Sequence, residues 1–266
     1  MAGPAAHASA SGGAGEPAPP HVIMPVLNEA AGIAGQLAAV RALWPQALVV
    51  VVDGGSEDGT LAAAREAAPA TPPAAREAAP ATPPTLLLEG PHGRAAQMNH
   101  GARMALEHAP LPPDGWLLFL HADTALPAQA PAELARAARQ GYRAGAFPLR
   151  IVGRHPMLPL LALGASWRTR LRHIALGDQA QFVSHVLFEA TGGFPPLPIM
   201  EDYAFSLLLR ERGEPLYLAR HPVITSGRRW DKAGFWRTWW RHRLYYRRFH
   251  RDYDLDIMRK SYYDVR

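Results

Sequence analysis

VVVVDGGSEDGT, Val49 to Thr60, is the stretch on which the fold is read. Four β-branched apolar residues in a row have no polar face, so a strand made from them is buried on both sides, as in a parallel sheet. The run ends on Asp53, passes through a Gly-Gly-Ser turn and reaches Asp58, a residue suited to capping a new helix. The same alternation extends in both directions. Upstream, His21 to Leu27 (HVIMPVL) is a second buried strand. Glu29 to Leu43 then has helical spacing at Ile33, Leu37, Val40 and Leu43, with Asn28 as its expected N-cap. Downstream, Thr85 to Leu88 and Trp116 to Leu120 are strand candidates, and helices are expected over Arg94 to His108 and Pro131 to Gln140. Repeated β-α-β alternation predicts an α/β fold, a doubly wound, mostly parallel sheet flanked by helices. Ligands of such sheets bind beyond the carboxyl ends of the strands. The second half is less regular. Tyr142 to Val152 reads as a strand and Leu158 to Arg172 as a helix. Tyr203 to Arg212 reads as a helix opened by Glu201-Asp202, and Asp231 to about His250 as one long aromatic-rich helix.

The 266 residues suit one sizeable domain, and 48% apolar with 19% charged residues is a globular composition able to bury a full core. With no cysteine, disulfides, thiolate zinc sites and cysteine nucleophiles are excluded, and a reducing compartment is the natural expectation. The net charge of +5 is concentrated: from Arg228 to Arg251 arginines are dense among aromatics, whereas the first half is close to neutral. A basic surface favours anionic partners, whether nucleic acid, phosphorylated ligands or an acidic membrane. Residues 1–20 hold almost no large apolar side chain and are expected to be a disordered leader, not a signal peptide. No run reaches the roughly 18 apolar residues that spanning a bilayer requires. The expected location is the cytoplasm, with the basic segment suited to the inner face of the membrane. AAREAAPATPP, Ala63 to Pro73, recurs unchanged as Ala74 to Pro84. Thr-Pro-Pro stops a helix, so the first copy closes the helix begun near Asp58. The second copy, 74–84, is expected to be a surface insert without function.

Three motifs sit where strands give way to loops or helices begin. Asp53, at a strand's carboxyl end, is placed to accept hydrogen bonds from a nucleoside base or ribose, and the glycines after it let a ligand approach the backbone. A plain strand-to-helix turn would use the same residues. WLLFLHADT, Trp116 to Thr124, runs a very apolar strand into His121 and Asp123, which lie two apart and can face one divalent cation. Magnesium and manganese take oxygen ligands at about 2.1 Å and keep waters and substrate phosphates, so one firm carboxylate suffices. The other reading has His121 packing and Asp123 starting a turn. In MEDY, Met200 to Tyr203, adjacent carboxylates open a helix. They either stabilise the helix dipole or supply a general base for a hydroxyl.

In order along the chain come PVLNE (Pro25 to Glu29), VDGGSEDGT (Val52 to Thr60), GRAAQMNHGA (Gly93 to Ala102) and HAD (His121 to Asp123). GDQ (Gly177 to Gln179), GGF (Gly192 to Phe194), ED (Glu201-Asp202) and RRW (Arg228 to Trp230) follow. This set resembles the family 2 glycosyltransferases. More narrowly it is similar to the bacterial subgroup called transferase 2, associated with radical-SAM/selenodomain proteins. The resemblance runs from about Val22 to Trp239, leaving out the insert. It implies a GT-A-type domain over 21–227, followed by a basic, aromatic helical extension over 228–266. It further implies an inverting, metal-assisted transfer of one sugar from a nucleoside-diphosphate sugar, UDP ahead of GDP. Pro25, Leu27, Glu29 and Asp53 would hold the nucleoside and Arg94 would lie by the phosphates. Asp123 would bind magnesium or manganese with the diphosphate, beside His121, where many relatives carry another aspartate. Asp202 would be the catalytic base. Asp178, Gln179, Gly192 and Gly193 would border the acceptor together with Glu201, Arg229 and Trp230. Processive members carry a glutamine ahead of their Arg-Trp; here that place holds Thr225 or Ser226, which implies single transfer and not polymerisation.

In the C-terminal segment Phe235, Trp239, Tyr246 and Phe249 make one stripe, Trp236, Trp240 and Leu244 a neighbouring one, and Arg237, Arg241 and Arg248 lie across from them. Such a helix packs on the domain or lies on anionic lipid, where a lipid-linked acceptor would be met. Nucleic acid is the least favoured partner for it. Two other functions compete with the transferase. One is non-catalytic binding of nucleotide sugars or membrane surfaces. The other is nucleotidyl transfer, opposed by PVLNEAAG, which lacks the basic residues of a phosphate-binding loop.

Overall fold

The computed structural model describes residues 18–68 and 85–250. Most of the expected leader, the 74–84 insert and the chain beyond 250 lie outside them. The first half alternates as the apolar runs dictate: β1 (His21–Val26), α1 (Ala30–Leu43), β2 (Val49–Asp53), α2 (Thr60–Ala67), β3 (Thr85–Glu89), α3 (Arg94–His108) and β4 (Trp116–Phe119). The strands pair in parallel, Val22 opposite Val49 and His21 opposite Leu117. Every residue of β1, β2 and β4 is buried, because both sheet faces are covered. Val22, Met24, Val49 and Val51 face one core layer with Ile33, Leu37 and Val40 of α1. Ile23, Val50 and Val52 face the other with Ala95, Met98 and Ala102 of α3. Gly101 lets α3 settle close: a Cβ there would stand 2.7 Å from Ile23 Cγ2 and 2.8 Å from Val52 Cγ2.

The second half comprises β5 (Thr124–Ala125), α4 (Ala130–Arg139), β6 (Ala144–Ala146), β7 (Leu149–Val152), α5 (Leu158–Arg172), β8 (Phe182–Ser184), α6 (His185–Thr191), α7 (Glu201–Glu211), β9 (Leu216–Leu218), β10 (Val223–Ser226), α8 (Arg228–Ala233) and α9 (Phe235–Phe249). The main sheet has the order β3-β2-β1-β4-β8-β6-β9, and β8 runs antiparallel to both of its neighbours. A smaller sheet, β5-β10-β7, stands beside it. The fold is therefore α/β with a mostly parallel central sheet flanked by helices.

Several sequence expectations are corrected. The strand expected over Tyr142 to Val152 is two strands in different sheets, β6 and β7. They part at Phe147-Pro148, where the Phe147 N–H donates to Gln179 and the Pro148 carbonyl accepts from Val223. The long helix expected from Asp231 begins instead at Arg228 and breaks at Gly234, whose φ of 82° no helix interior accepts. Asn28 is not the N-cap of α1. It sits at φ 55° and its Oδ1 accepts from the Glu57 N–H. Asp58 takes over, accepting from Ala30 N–H at the start of α1 and from Thr60 N–H at the start of α2, both at 3.0 Å. One carboxylate thus satisfies an orphan donor on each of two helices.

Candidate active site

A cleft of about 1060 Å³ opens at the carboxyl ends of β1, β2 and β4. That is where an α/β sheet exposes backbone and loop groups to a ligand. The end of β1 brings Pro25 to its wall, the loop after it Leu27 and Glu29, and the start of α3 Arg94. The loop after β4 brings His121 and Asp123. Asp178 and Asp202 line it from the second half, and α5, α8 and α9 close it with Arg168, Arg229, Trp230 and His242 among others. Residues spread across the sequence are thus gathered in one place by the topology.

Gln97 holds the strand ends together. Its amide donates to the carbonyls of Val26 at 2.9 Å and Val52 at 2.8 Å, bridging the ends of β1 and β2. The loop carrying Asp123 is held from two sides. Buried Gln36 of α1 donates to the Thr124 carbonyl at 2.6 Å, and Thr124 pairs with Thr225 across β5 and β10. The motif reading missed Gln36 and Gln97; a glutamine on the buried face of a helix is the signal that could have found them.

Asp202 stands at the amino end of α7, just after Met200, which takes the left-handed conformation at φ 65°. A non-glycine residue held there marks a turn that its surroundings enforce. The Asp202 carboxylate accepts from the Gly177 N–H and the Tyr203 N–H, each at 2.6 Å. Arg94 Nη2 lies 3.7 Å from it, while Arg94 Nε pairs with the buried carboxylate of Glu201. Burial raises the Glu201 pKa against the pull of Arg94. A Cβ on Gly177 would stand 2.8 Å from the His121 ring and 3.1 Å from Asp202 Oδ2, so this glycine permits imidazole and carboxylate to close on one another. Asp178 follows it. Burial, with Asp202 and Asp123 as like charges, pushes its carboxyl up to about 6, although Arg168 and Arg94 pull the other way. Asp178 Oδ1 is buried and has no hydrogen-bond partner among the described residues.

Five expected site residues do not line this cleft. Asp53 is 4% exposed, and its carboxylate holds its own loop by accepting from Gly55 N–H, Ser56 N–H and the Ser56 hydroxyl. Gln179 is fully buried and bonds Phe147, Thr169, Leu176 and Arg168, fixing the short 3-10 turn that carries Asp178. Gly192 and Gly193, both at φ 77°, end α6 and line a separate hollow of about 500 Å³ beside Asn99. Glu201 is a neighbour of the cleft through Arg94, not part of its lining. Across the mouth, Arg228 Nη2 comes within 3.8 Å of Glu29 Oε2. His242 lies against Trp230, ring centroids 5.2 Å apart, and burial followed by the charges of Arg229, Arg241 and Arg168 lowers its pKa to about 4.

Among the described residues no three His, Asp or Glu side chains are grouped to hold a metal ion. Asp123 does present an exposed carboxylate to the cleft. That donor set fits a hard divalent cation that arrives with diphosphate oxygens and water, the usual habit of magnesium, and not an all-protein cage.

The model for glycosyl transferase family 2 matches residues 21–159. No curated protein matches the sequence. Among solved structures, S. aureus TarS superposes with a TM-score of 0.57 at 15% identity, covering 80% of this chain and 61% of that one. TarS in complex with UDP gives 0.56 at 15%, covering 79% and 60%. The mannosyltransferase PcManGT from Pyrobaculum calidifontis, in complex with GDP-Man and Mn2+, gives 0.52 at 23%, covering 79% and 59%. At such identities the likeness is one of fold, the GT-A architecture. The chain spans about three fifths of the length of these structures. Over half of the 266 residues fall within the family match, which takes in β1 through α4 and with them Glu29, Arg94, His121 and Asp123: the chain belongs to glycosyltransferase family 2.

Proposed function

We propose that the chain is an inverting glycosyltransferase that moves one sugar from a nucleoside-diphosphate sugar, UDP ahead of GDP, to an acceptor hydroxyl. The observation that carries this reading is the meeting of Asp123 and Asp202, remote in sequence, on the lining of one cleft. The UDP of one structural relative and the GDP-Man and Mn2+ of another support a nucleotide donor and a divalent cation. Pro25, Leu27 and Glu29 border the nucleoside, and Asp53 shapes that wall by fixing the Gly54-Gly55-Ser56 loop. Magnesium or manganese held by Asp123, with His121 beside it, would offset charge on the departing diphosphate.

Asp202 is the base. Two backbone N–H groups aim its carboxylate, and Arg94 Nη2 stands 3.7 Å from it. It takes the proton of the acceptor hydroxyl as that oxygen bonds to the anomeric carbon, and the anomeric C–O bond to phosphate breaks with its electrons leaving on the phosphate oxygen. Attack from the opposite side inverts the configuration. Asp178 Oδ1, with no donor among the described residues, is suited to accept from a hydroxyl of the bound substrates. Arg229 and Trp230 border the acceptor, and Gln179 supports Asp178 from behind. The acceptor we infer is lipid-linked, since α5 and α9 close the cleft and carry exposed leucine, tryptophan and arginine on their outer faces. The assignment is tested by calorimetric titration of UDP and GDP, with and without manganese, into wild type and Asp123→Ala. Metal-dependent binding that the substitution abolishes is the expected result. Binding of neither nucleotide would sink the transferase reading.

A further inference from the structure

Of the ten large apolar side chains that stand exposed among the described residues, seven lie on α5 and α9. On α5 they are Leu160, Leu163, Trp167 and Leu171, 52 to 69% exposed and spaced along one helical face. That face points away from the core, because Leu158, Ala162, Ala165 and Thr169 make the buried side. On α9 they are Trp236, Trp240 and Leu244, four residues apart at each step. Scattered exposed leucines need no explanation, but concentration on two elements does.

The two helices are neighbours. The rings of His155, just ahead of α5, and Phe235, at the start of α9, stack 4.3 Å apart, and Arg168 Nη1 lies 3.5 Å from the Tyr246 hydroxyl further along both. They therefore run side by side in the same direction. Their charge is of one sign: α5 holds three arginines and α9 five, with no Asp or Glu in either helix. Arg170, Arg172, Arg237 and Arg247 are exposed, close in sequence to the apolar rows.

We infer that the outer faces of α5 and α9 form one docking surface for an anionic lipid bilayer. Tryptophan and leucine enter the boundary between headgroups and acyl chains while arginines meet the lipid phosphates. Charge selects this occupant over a second copy of the chain, which would set arginines against arginines with no carboxylate between them. The leucine row selects it over nucleic acid, since aliphatic side chains offer bases nothing to stack on. The contact lies on the bilayer and does not cross it: among the described residues no helix is long and apolar enough to span a membrane. The inner faces of the same helices line the cleft, through Leu161 and Arg168 on α5 and Trp239 and Tyr246 on α9. Docking would hold the cleft at headgroup height, where a lipid-carried hydroxyl could enter; this last step alone rests on the transferase reading.

The test is co-sedimentation of the full chain with phosphatidylcholine vesicles, alone and mixed with phosphatidylglycerol. The variants are Leu163→Ser/Leu171→Ser on α5 and Trp236→Ser/Trp240→Ser on α9. All four positions are exposed and outside the cleft lining, so retained melting temperature and nucleotide binding certify each variant. Binding to the anionic vesicles is expected, weaker by about tenfold or more in each variant separately and strongly reduced by salt. No binding to anionic vesicles overturns the inference even if nucleotides bind normally. Loss in the α9 variant with none in the α5 variant overturns the joint surface. Self-association or oligonucleotide binding, abolished by the same substitutions in a chain that ignores vesicles, assigns the surface to another partner.

Discussion

Glu201 and Asp202 are adjacent carboxylates with different surroundings. Glu201 is sealed in with Arg94, whereas Asp202 reaches the cleft with its oxygens aimed by two backbone donors. Asp202→Asn keeps the size and one acceptor oxygen of the side chain while removing its ability to take up a proton. Nucleotide affinity should stay within about twofold of wild type, while turnover falls by roughly 10²–10⁴. Single-turnover kinetics beside calorimetry separates the two, and unchanged turnover would remove Asp202 from the base role. At this scale the sequence was partly legible. Glu29, Arg94, His121, Asp123, Asp178, Asp202, Arg229 and Trp230 were readable from motifs at loops and helix starts, and they do line one cleft. Asp53 was readable as a polar residue before glycines, but that pattern is the same whether the carboxylate faces a ligand or folds back on its own N–H groups, as it does here. Gln179 lies behind the lining for a like reason, since position in a motif does not say which way a side chain points, and the Gly192-Gly193 turn borders a separate hollow.

Helix α3 carries both Arg94 and Gln97, so its seat on the sheet sets part of the site. Gly101 makes that seat possible. Gly101→Ala would place a methyl 2.7 Å from Ile23 and 2.8 Å from Val52, both in a sheet that cannot yield easily. The expected cost is about 1–3 kcal/mol, read as a lower midpoint in chemical denaturation. A midpoint equal to wild type would show that α3 is not clamped as described. The long helix α3 was legible because several periods of pattern fit inside it, and β2 because four consecutive valines mark a strand buried on both faces. Strands β5, β8, β9 and β10, with two to four residues each, were not, since their pairing comes from distant partners and leaves no period to read. The outer row of α5 was hidden differently. The sequence marks Leu158 to Arg172 as a helix, and only the fold shows which of its faces is the buried one.

Across the whole molecule two histidines, one buried and one half-buried, stand in unfavourable surroundings. Burial first, then His185 and His108, lowers the His21 pKa to about 4, and His242 is lowered to about 4 as well. An unfolded chain binds these protons near pH 6.5, the folded one only near 4. Between those values the unfolded state holds more protons, so stability is complete above about pH 6.5 and falls as the pH drops toward 4. The expected loss at pH 5 is on the order of 1–2 kcal/mol for each histidine. Melting temperature against pH should show the decline, with a shallower slope in His242→Asn, and identical slopes would discount the site. Assembly has an order in time as well. The loop holding Asp123 is secured at Thr124 by strand β10, whose Thr225 lies 101 residues further along the chain. A ribosome adding about 5–20 residues per second needs some 5–20 seconds to make that distance. During that interval the nascent domain already contains β1 through β4 yet lacks the strand that seats Asp123. Translation itself therefore delays the moment at which a newly made chain could present Asp123 in the finished cleft.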